Sequence, residues 1–177
     1  MKKYYTDYVS NFKVKDNKKE AEELEYSGDY YEFILSYNEY QKMRIIILLT
    51  VIITASIFIL VGFLNNSGSF CIYVLLPYIC ILLPLTYLIR SYIRIPKEKK
   101  KMEYAIYDKC YIRVKFSLVG LITASLTTVI GNFIFIVRNV NHIIFMKEVS
   151  FCIANILIVI LSILLLIYHN RIVCEKQ

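Results

Sequence analysis

Residues 45–64 read IIILLTVIITASIFILVGFL, twenty consecutive positions without a charged side chain. Fifteen of them are Leu, Ile, Val or Phe, so a helix built from this stretch has no polar face to turn toward water. Twenty helical residues at about 1.5 Å each cross a hydrocarbon layer of about 30 Å. Each of the fifteen favours insertion by roughly 0.3–0.6 kcal/mol, and their sum outweighs Thr50, Thr54, Ser56 and Gly62.

Three further windows repeat the pattern: Phe70–Ile89, Phe116–Val137 and Val149–Tyr168, with 12, 13 and 14 such residues. All 35 charged residues of the 177-residue chain lie outside the four windows. A water-soluble fold would have to surround four apolar helices of this length, and the chain has too little material left to do so. The sequence therefore predicts an all-α membrane protein. It has a four-transmembrane-helix bundle over residues 37–177 and a short cytoplasmic N-terminal region over 1–36, either a β-hairpin or a helix.

Charge sets the expected orientation. Asn65–Ser69, between the first two windows, carries no charge. The connection 90–115 holds nine Lys or Arg against Glu98, Glu103 and Asp108, whereas Arg138–Glu148 has only Arg138 and Lys147 as basic residues. Positive loops stay on the cytoplasmic side, which predicts a multi-pass protein of the cytoplasmic membrane with both termini inside. The formal net charge of +7 comes mostly from this one connection, so it marks topology and does not point to nucleic acid.

Eight of the sixteen tyrosines fall within the first 40 residues. Ser27-Gly28-Asp29 is a turn signal between Glu22–Tyr26 and Tyr30–Leu35, which predicts a hairpin or a turn leading into an extended segment. A lone hairpin is marginal in water, so it is expected to lean on the membrane surface or on the basic connection. Lys15–Glu25 as a short helix is the alternative. Ser36-Tyr37-Asn38-Glu39 is a capping box, which predicts that the first helix begins near Tyr37. In the connection, Pro96 suits a first helical position, and Met102, Ala105, Ile106 and Cys110 fall on one apolar face. With Lys97, Lys99, Lys100 and Lys101 at its start, this segment reads as an amphipathic helix on anionic inner-leaflet lipids, although positive-inside anchoring explains the same lysines.

No Asp, Glu, Lys, Arg or His lies within a window, which argues against ion-coupled transport and removes the usual acids, bases and metal ligands. The five cysteines show no ligand spacing; Cys71 and Cys152, at matching outer ends, are read as packing residues rather than a disulfide. Catalytic, cofactor and metal sites are accordingly expected to be absent. Four polar features remain. Gly120, Ala124, Thr128 and Gly131 form a small-residue seam for close helix packing. Asn132 and Asn155 lie at matching depths and could hydrogen-bond between neighbouring helices. Pro77 and Pro84, seven apart, should kink the second span in one direction and leave the carbonyls of Tyr73 and Cys80 in need of donors, for which Thr50 and Thr54 are candidates.

The tyrosine-rich tail with YSGDYYEF, the charge-free loop, the stretch YVLLPYICILLPLTYLIR and the basic connection together resemble uncharacterised small four-span bacterial integral membrane proteins. That resemblance implies a bacterial inner-membrane location and brings no activity. The expected function is a non-enzymatic accessory, immunity-like or assembly component, with a membrane-protein partner or a second copy of itself as the expected associate. A small oligomeric transporter or channel is the alternative.

Overall fold

The computed structural model describes residues 8–13, 21–96, 101–139, 145–172 and 174–176. Among these, four helical stretches are long and apolar enough to cross a membrane: Tyr37–Gly62, Ile72–Ile93, Tyr104–Arg138 and Phe145–Arg171. In chain order the elements are β1 (Tyr8–Lys13), β2 (Ala21–Tyr26), β3 (Tyr30–Phe33), α1 (Tyr37–Gly62), α2 (Ile72–Cys80), α3 (Leu82–Ile93), β4 (Met102–Glu103), α4 (Tyr104–Tyr107), α5 (Arg113–Arg138), α6 (Phe145–Arg171) and β5 (Cys174–Lys176). A π-helical turn over Asp108–Ile112 joins α4 to α5, so the third span is one long helix.

The four spans pack in a ring: α1 touches α3 and α6, and α5 touches α6 on one side and both α2 and α3 on the other. Ile47, Val51, Val74, Ile81, Leu85, Leu118, Leu121 and Ile158 fill the interior, none more than 3% exposed. Leu60, Phe63, Leu83 and Phe116 stand on the outer surface. An apolar exterior around an apolar core is what lipid solvation permits and water does not. The chain is an integral membrane protein with four spans.

α1 starts where the capping box requires. The Ser36 hydroxyl accepts from the Glu39 N–H, and the Glu39 carboxylate accepts from the Ser36 N–H at 3.0 Å. Of the two expected forms of the tail, the turn leading into an extended segment is the one realised. β2 is antiparallel to β1 (Tyr8↔Tyr26 through Lys13↔Ala21), which also excludes a helix over residues 21–25. β3 leaves that hairpin and becomes the centre of a second sheet, between β4 (Tyr31↔Met102) and β5 (Tyr31↔Lys176, Phe33↔Cys174). The reason is burial. Tyr31 and Phe33 share a strand face, and on the bundle end Phe33 is buried against Tyr40 while Tyr31 stacks on Tyr107 at 4.1 Å. Pairing β3 with β2 would forgo both contacts. Leaning on the basic connection is thus realised as strand pairing.

This sheet gathers the segments before α1, before α4 and after α6 at one end of the bundle, here called the strand end. An aromatic column continues from Tyr107 to Tyr111 and on to His169 of α6. The Tyr40 hydroxyl donates to Pro96 O at 2.7 Å, closing the connection onto α1. Most of the connection that was expected to lie on lipid is therefore turned inward: Met102 and Cys110 are buried and Ile106 packs against the core. Its helix begins at Tyr104 rather than after Pro96, because Met102–Glu103 is held extended by β3. Lys97, Lys99 and Lys100 lie outside the described residues, and Lys101 is exposed.

The second span breaks at Ile81, between the two prolines. The hydroxyls of Thr50 and Thr54 donate to carbonyls of their own helix, Ile46 and Thr50 O, and so do not serve the proline-freed carbonyls. α5 makes the close contacts beside both prolines. The Ser117 hydroxyl donates to Pro84 O at 2.9 Å. Tyr73 O, which has no N–H partner at Pro77, comes so close to Gly131 that an added Cβ there would lie 2.8 Å from it. Gly120, at the other end of the same seam, has only Pro84 Cβ within 3.9 Å. Gly131→Ala is therefore expected to lower stability in detergent by about 1–3 kcal/mol, as overpacking does, while Gly120→Ala leaves the thermal midpoint within about a degree. Equal effects at the two glycines would show that the Tyr73 carbonyl does not set the spacing.

Candidate functional site

Four polar side chains of α6 recur every seven residues: Glu148, Asn155, Ser162 and His169. Seven residues are close to two helical turns, so all four lie on one face, and none is more than 3% exposed. Facing them, α5 presents Ser125, Thr128 and Asn132, each fully buried. A polar seam thus runs along the α5–α6 contact inside an otherwise apolar bundle.

Most of the seam is satisfied locally. Ser162 donates to Ile158 O and Thr128 to Ala124 O, each within its own helix. His169 donates from Nε2 to Tyr111 O at 3.0 Å, tying α6 to the π-helical turn. The amide of Asn155 donates to Phe151 O at 2.9 Å. Asn132, on the neighbouring helix, donates to Glu148 O at 3.0 Å, so the cross-helix hydrogen bond of α5 runs to the first turn of α6. The two asparagines lie on facing helices, and each amide nitrogen has a main-chain partner.

The site itself lies at the opposite end from the sheet, the loop end, where α1 turns into α2 and α6 begins. Asn65 takes a left-handed backbone conformation (φ 46°), which reverses the chain after α1. A short 3₁₀ turn, Ser67–Phe70, follows and aims two donors inward. Asn66 Nδ2 reaches Glu148 Oε2 at 2.8 Å, and the Gly68 N–H reaches Oε1 at 2.9 Å. The Ser69 hydroxyl holds Asn66 O at 2.7 Å and stiffens the turn.

Gly68 is required sterically. A Cβ there would meet Asn132 Oδ1 at 2.6 Å, Glu148 Oε2 at 2.7 Å and Phe135 at 3.1 Å. The loop, α5 and α6 therefore converge on one point, and only a residue without a side chain fits.

The electrostatics are unusual. Glu148 is 1% exposed and makes no ion pair among the described residues; both its donors are neutral. Hydrogen bonds to a charged group contribute about 1.5–3 kcal/mol each. The first turn of a helix, where Glu148 sits, adds at most about 2 kcal/mol. Those gains stand against an effective desolvation penalty of several kcal/mol for a buried ion. Two buried amide oxygens beside the carboxylate, Asn66 Oδ1 and Asn132 Oδ1, have no hydrogen-bond partner, as do Asn155 Oδ1 and Ser125 Oγ deeper in the seam.

The seam residues Thr128, Gly131 and Asn132 are brought into this arrangement, with Gly131 against α2. Gly120 and Ala124 instead line an outward groove of about 460 Å³ with Pro77, Pro84 and Ser117. Glu148 is the buried polar residue that window counting missed. α6 starts at Phe145, four residues before the apolar window, and that extra turn carries the carboxylate inside. The seven-residue recurrence of polar side chains was the available signal. All five cysteines are free thiols, Cys71 and Cys152 included. At the strand end, burial pushes the Cys174 thiol up to about 12.

A scan against protein-family models, a search of curated proteins and a search of solved structures each return no match to this chain. The resemblance to small four-span proteins thus reduces to its coarse part, the four spans themselves.

Glu148→Ala leaves the Asn66 amide and the Gly68 N–H without an acceptor. It is expected to cost about 2–4 kcal/mol in thermal or denaturant unfolding in detergent. Gly68→Ala is expected to destabilise to a similar degree by forcing the same oxygens apart. A midpoint unchanged by both substitutions would show that the loop end does not depend on this cluster.

Proposed function

We propose that this protein is a non-enzymatic accessory, immunity-like or assembly component of the cytoplasmic membrane, acting through contacts with another membrane protein. The observation that carries the reading is the filled interior. Side chains from all four spans close the bundle axis, and Tyr78, Phe58 and Phe151 stack across it near the loop end. A single copy built this way offers no path for a solute along its axis, whereas its outer face offers lipid-level surface for a partner. The groove beside Gly120 and Ala124, with the exposed hydroxyls of Thr123 and Thr127, is one such surface, since small residues allow close helix approach.

The second reading, a small oligomeric transporter or channel, is favoured by Glu148. A carboxylate buried among apolar helices is a common element of ion pathways. The charge distribution supports placing the strand end, with the basic connection, at the cytoplasmic face and the loop end outside. Exposed Lys101 then lies near anionic inner-leaflet lipids.

Two measurements test this. A photoreactive residue at Thr123 or Thr127, activated in native membranes, is expected to yield a heterologous band. A ladder of self-adducts would favour the oligomeric pore instead. Cys110 is buried and cannot report sidedness, so the probes are Ser67→Cys and Lys101→Cys in a chain freed of its native cysteines. A membrane-impermeant maleimide added to intact cells is expected to label position 67 and spare 101. The reverse pattern would invert the topology.

A further inference from the structure

We propose that the loop end of the bundle binds a small alkali-metal cation between the Glu148 carboxylate and the side-chain oxygen of Asn132, beside Gly68. Three observations carry this. First, the carboxylate is buried, and its donors, Asn66 Nδ2 and the Gly68 N–H, are uncharged. Among the described residues neither Arg138 nor Lys147 makes an ion pair with it. Second, Asn132 Oδ1 is fully buried and without a partner, and its direction is dictated by the other half of the amide. Because Nδ2 donates to Glu148 O, turning the amide over would set oxygen against oxygen. Third, this oxygen and Glu148 Oε2 both crowd Gly68, lying 2.6 and 2.7 Å from where a Cβ on it would stand, so the two oxygens face the same side of the loop.

A buried carboxylate, the lone-pair oxygen of Asn132 and no positive group paired with them among the described residues define the ligand chemistry. Hard oxygen donors select alkali or alkaline-earth cations over transition metals. One carboxylate with neutral amides balances a single positive charge; a divalent ion would leave net positive charge buried, and calcium sites accordingly gather several carboxylates. The cation is therefore of the Li⁺, Na⁺ or K⁺ class. It neutralises Glu148 and gives Asn132 Oδ1 a partner, and it ties α5 to α6 beside the α1–α2 turn. Its role is to clamp the loop end shut, and it needs no solute path through the bundle.

The test uses the purified full-length protein in detergent at pH 8, with unfolding followed by circular dichroism. Choline chloride is replaced by LiCl, NaCl or KCl at constant ionic strength. An ion that binds only the folded state raises the midpoint as its concentration passes the dissociation constant. The wild type is expected to gain several degrees in at least one alkali salt. Glu148→Gln, which keeps the shape and lacks the charge, is expected to lose that dependence. Should Glu148→Gln not fold, calorimetric titration of the wild type in choline with the stabilising alkali salt serves: saturation at one ion per chain is expected, and no saturable binding overturns the proposal. The proposal is overturned by a wild-type midpoint indifferent to all three alkali salts. It is equally overturned by an undiminished response in Glu148→Gln, by a response to Ca²⁺ alone in the wild type, or by stabilisation in choline that appears only on acidification, since the carboxyl then takes a proton instead.

Discussion

Lipid offers no hydrogen bonds, so every polar group among the four spans has to be answered from inside the protein. That demand organises the bundle. Hydroxyls of Thr50, Thr54, Thr127, Thr128 and Ser162 turn back onto carbonyls of their own helices, the least expensive solution available to a lone Ser or Thr. Where proline frees a carbonyl, the answer has to come from another helix. At Tyr73 O α5 supplies it through the missing side chain of Gly131, and its Ser117 hydroxyl adds a hydrogen bond to Pro84 O beside the kink. The kink in the second span and the small-residue seam in the third are thus one feature seen from two sides.

The two ends of the molecule solve the problem of closure differently. At the strand end, three segments far apart in the chain form a small sheet, and the column Tyr31, Tyr107, Tyr111 and His169 packs across it. Aromatic rings with polar tips suit that position, because the ring can be buried while the hydroxyl finds a carbonyl, as Tyr40 does at Pro96. At the loop end a single carboxylate does the joining through a turn of only five residues between apolar windows. Apolar packing there is replaced by directional bonds that permit little adjustment, which is why the turn tolerates only glycine at position 68.

Such an arrangement links structure to function through stiffness. A bundle with a filled axis and both ends closed presents a fixed outer surface, which suits a component that is recognised by a neighbour. The polar seam along α5 and α6 is not fully satisfied, since Ser125 Oγ and Asn155 Oδ1 have no partners. Buried orphans of this kind cost free energy.

Fold class, span number and the uneven charge of the connections were legible in the sequence, because lipid solvation acts on each helix separately and a run of twenty uncharged residues is its direct record. The start of α1 was legible as well, since a capping box uses groups only three residues apart. Strand pairing in the tail was not. β3 chose β4 and β5 over its neighbour because of where Tyr31 and Phe33 could be buried, and burial depends on the assembled bundle. The site was half visible: Asn132 stood out as a polar residue within a span, whereas Glu148 looked like part of a loop. Only the packing of α6 against α5 and the α1–α2 turn decided that this carboxylate faces inward. Whether a charge at a helix end meets water or protein depends on elements distant in the chain, and no local pattern encodes it.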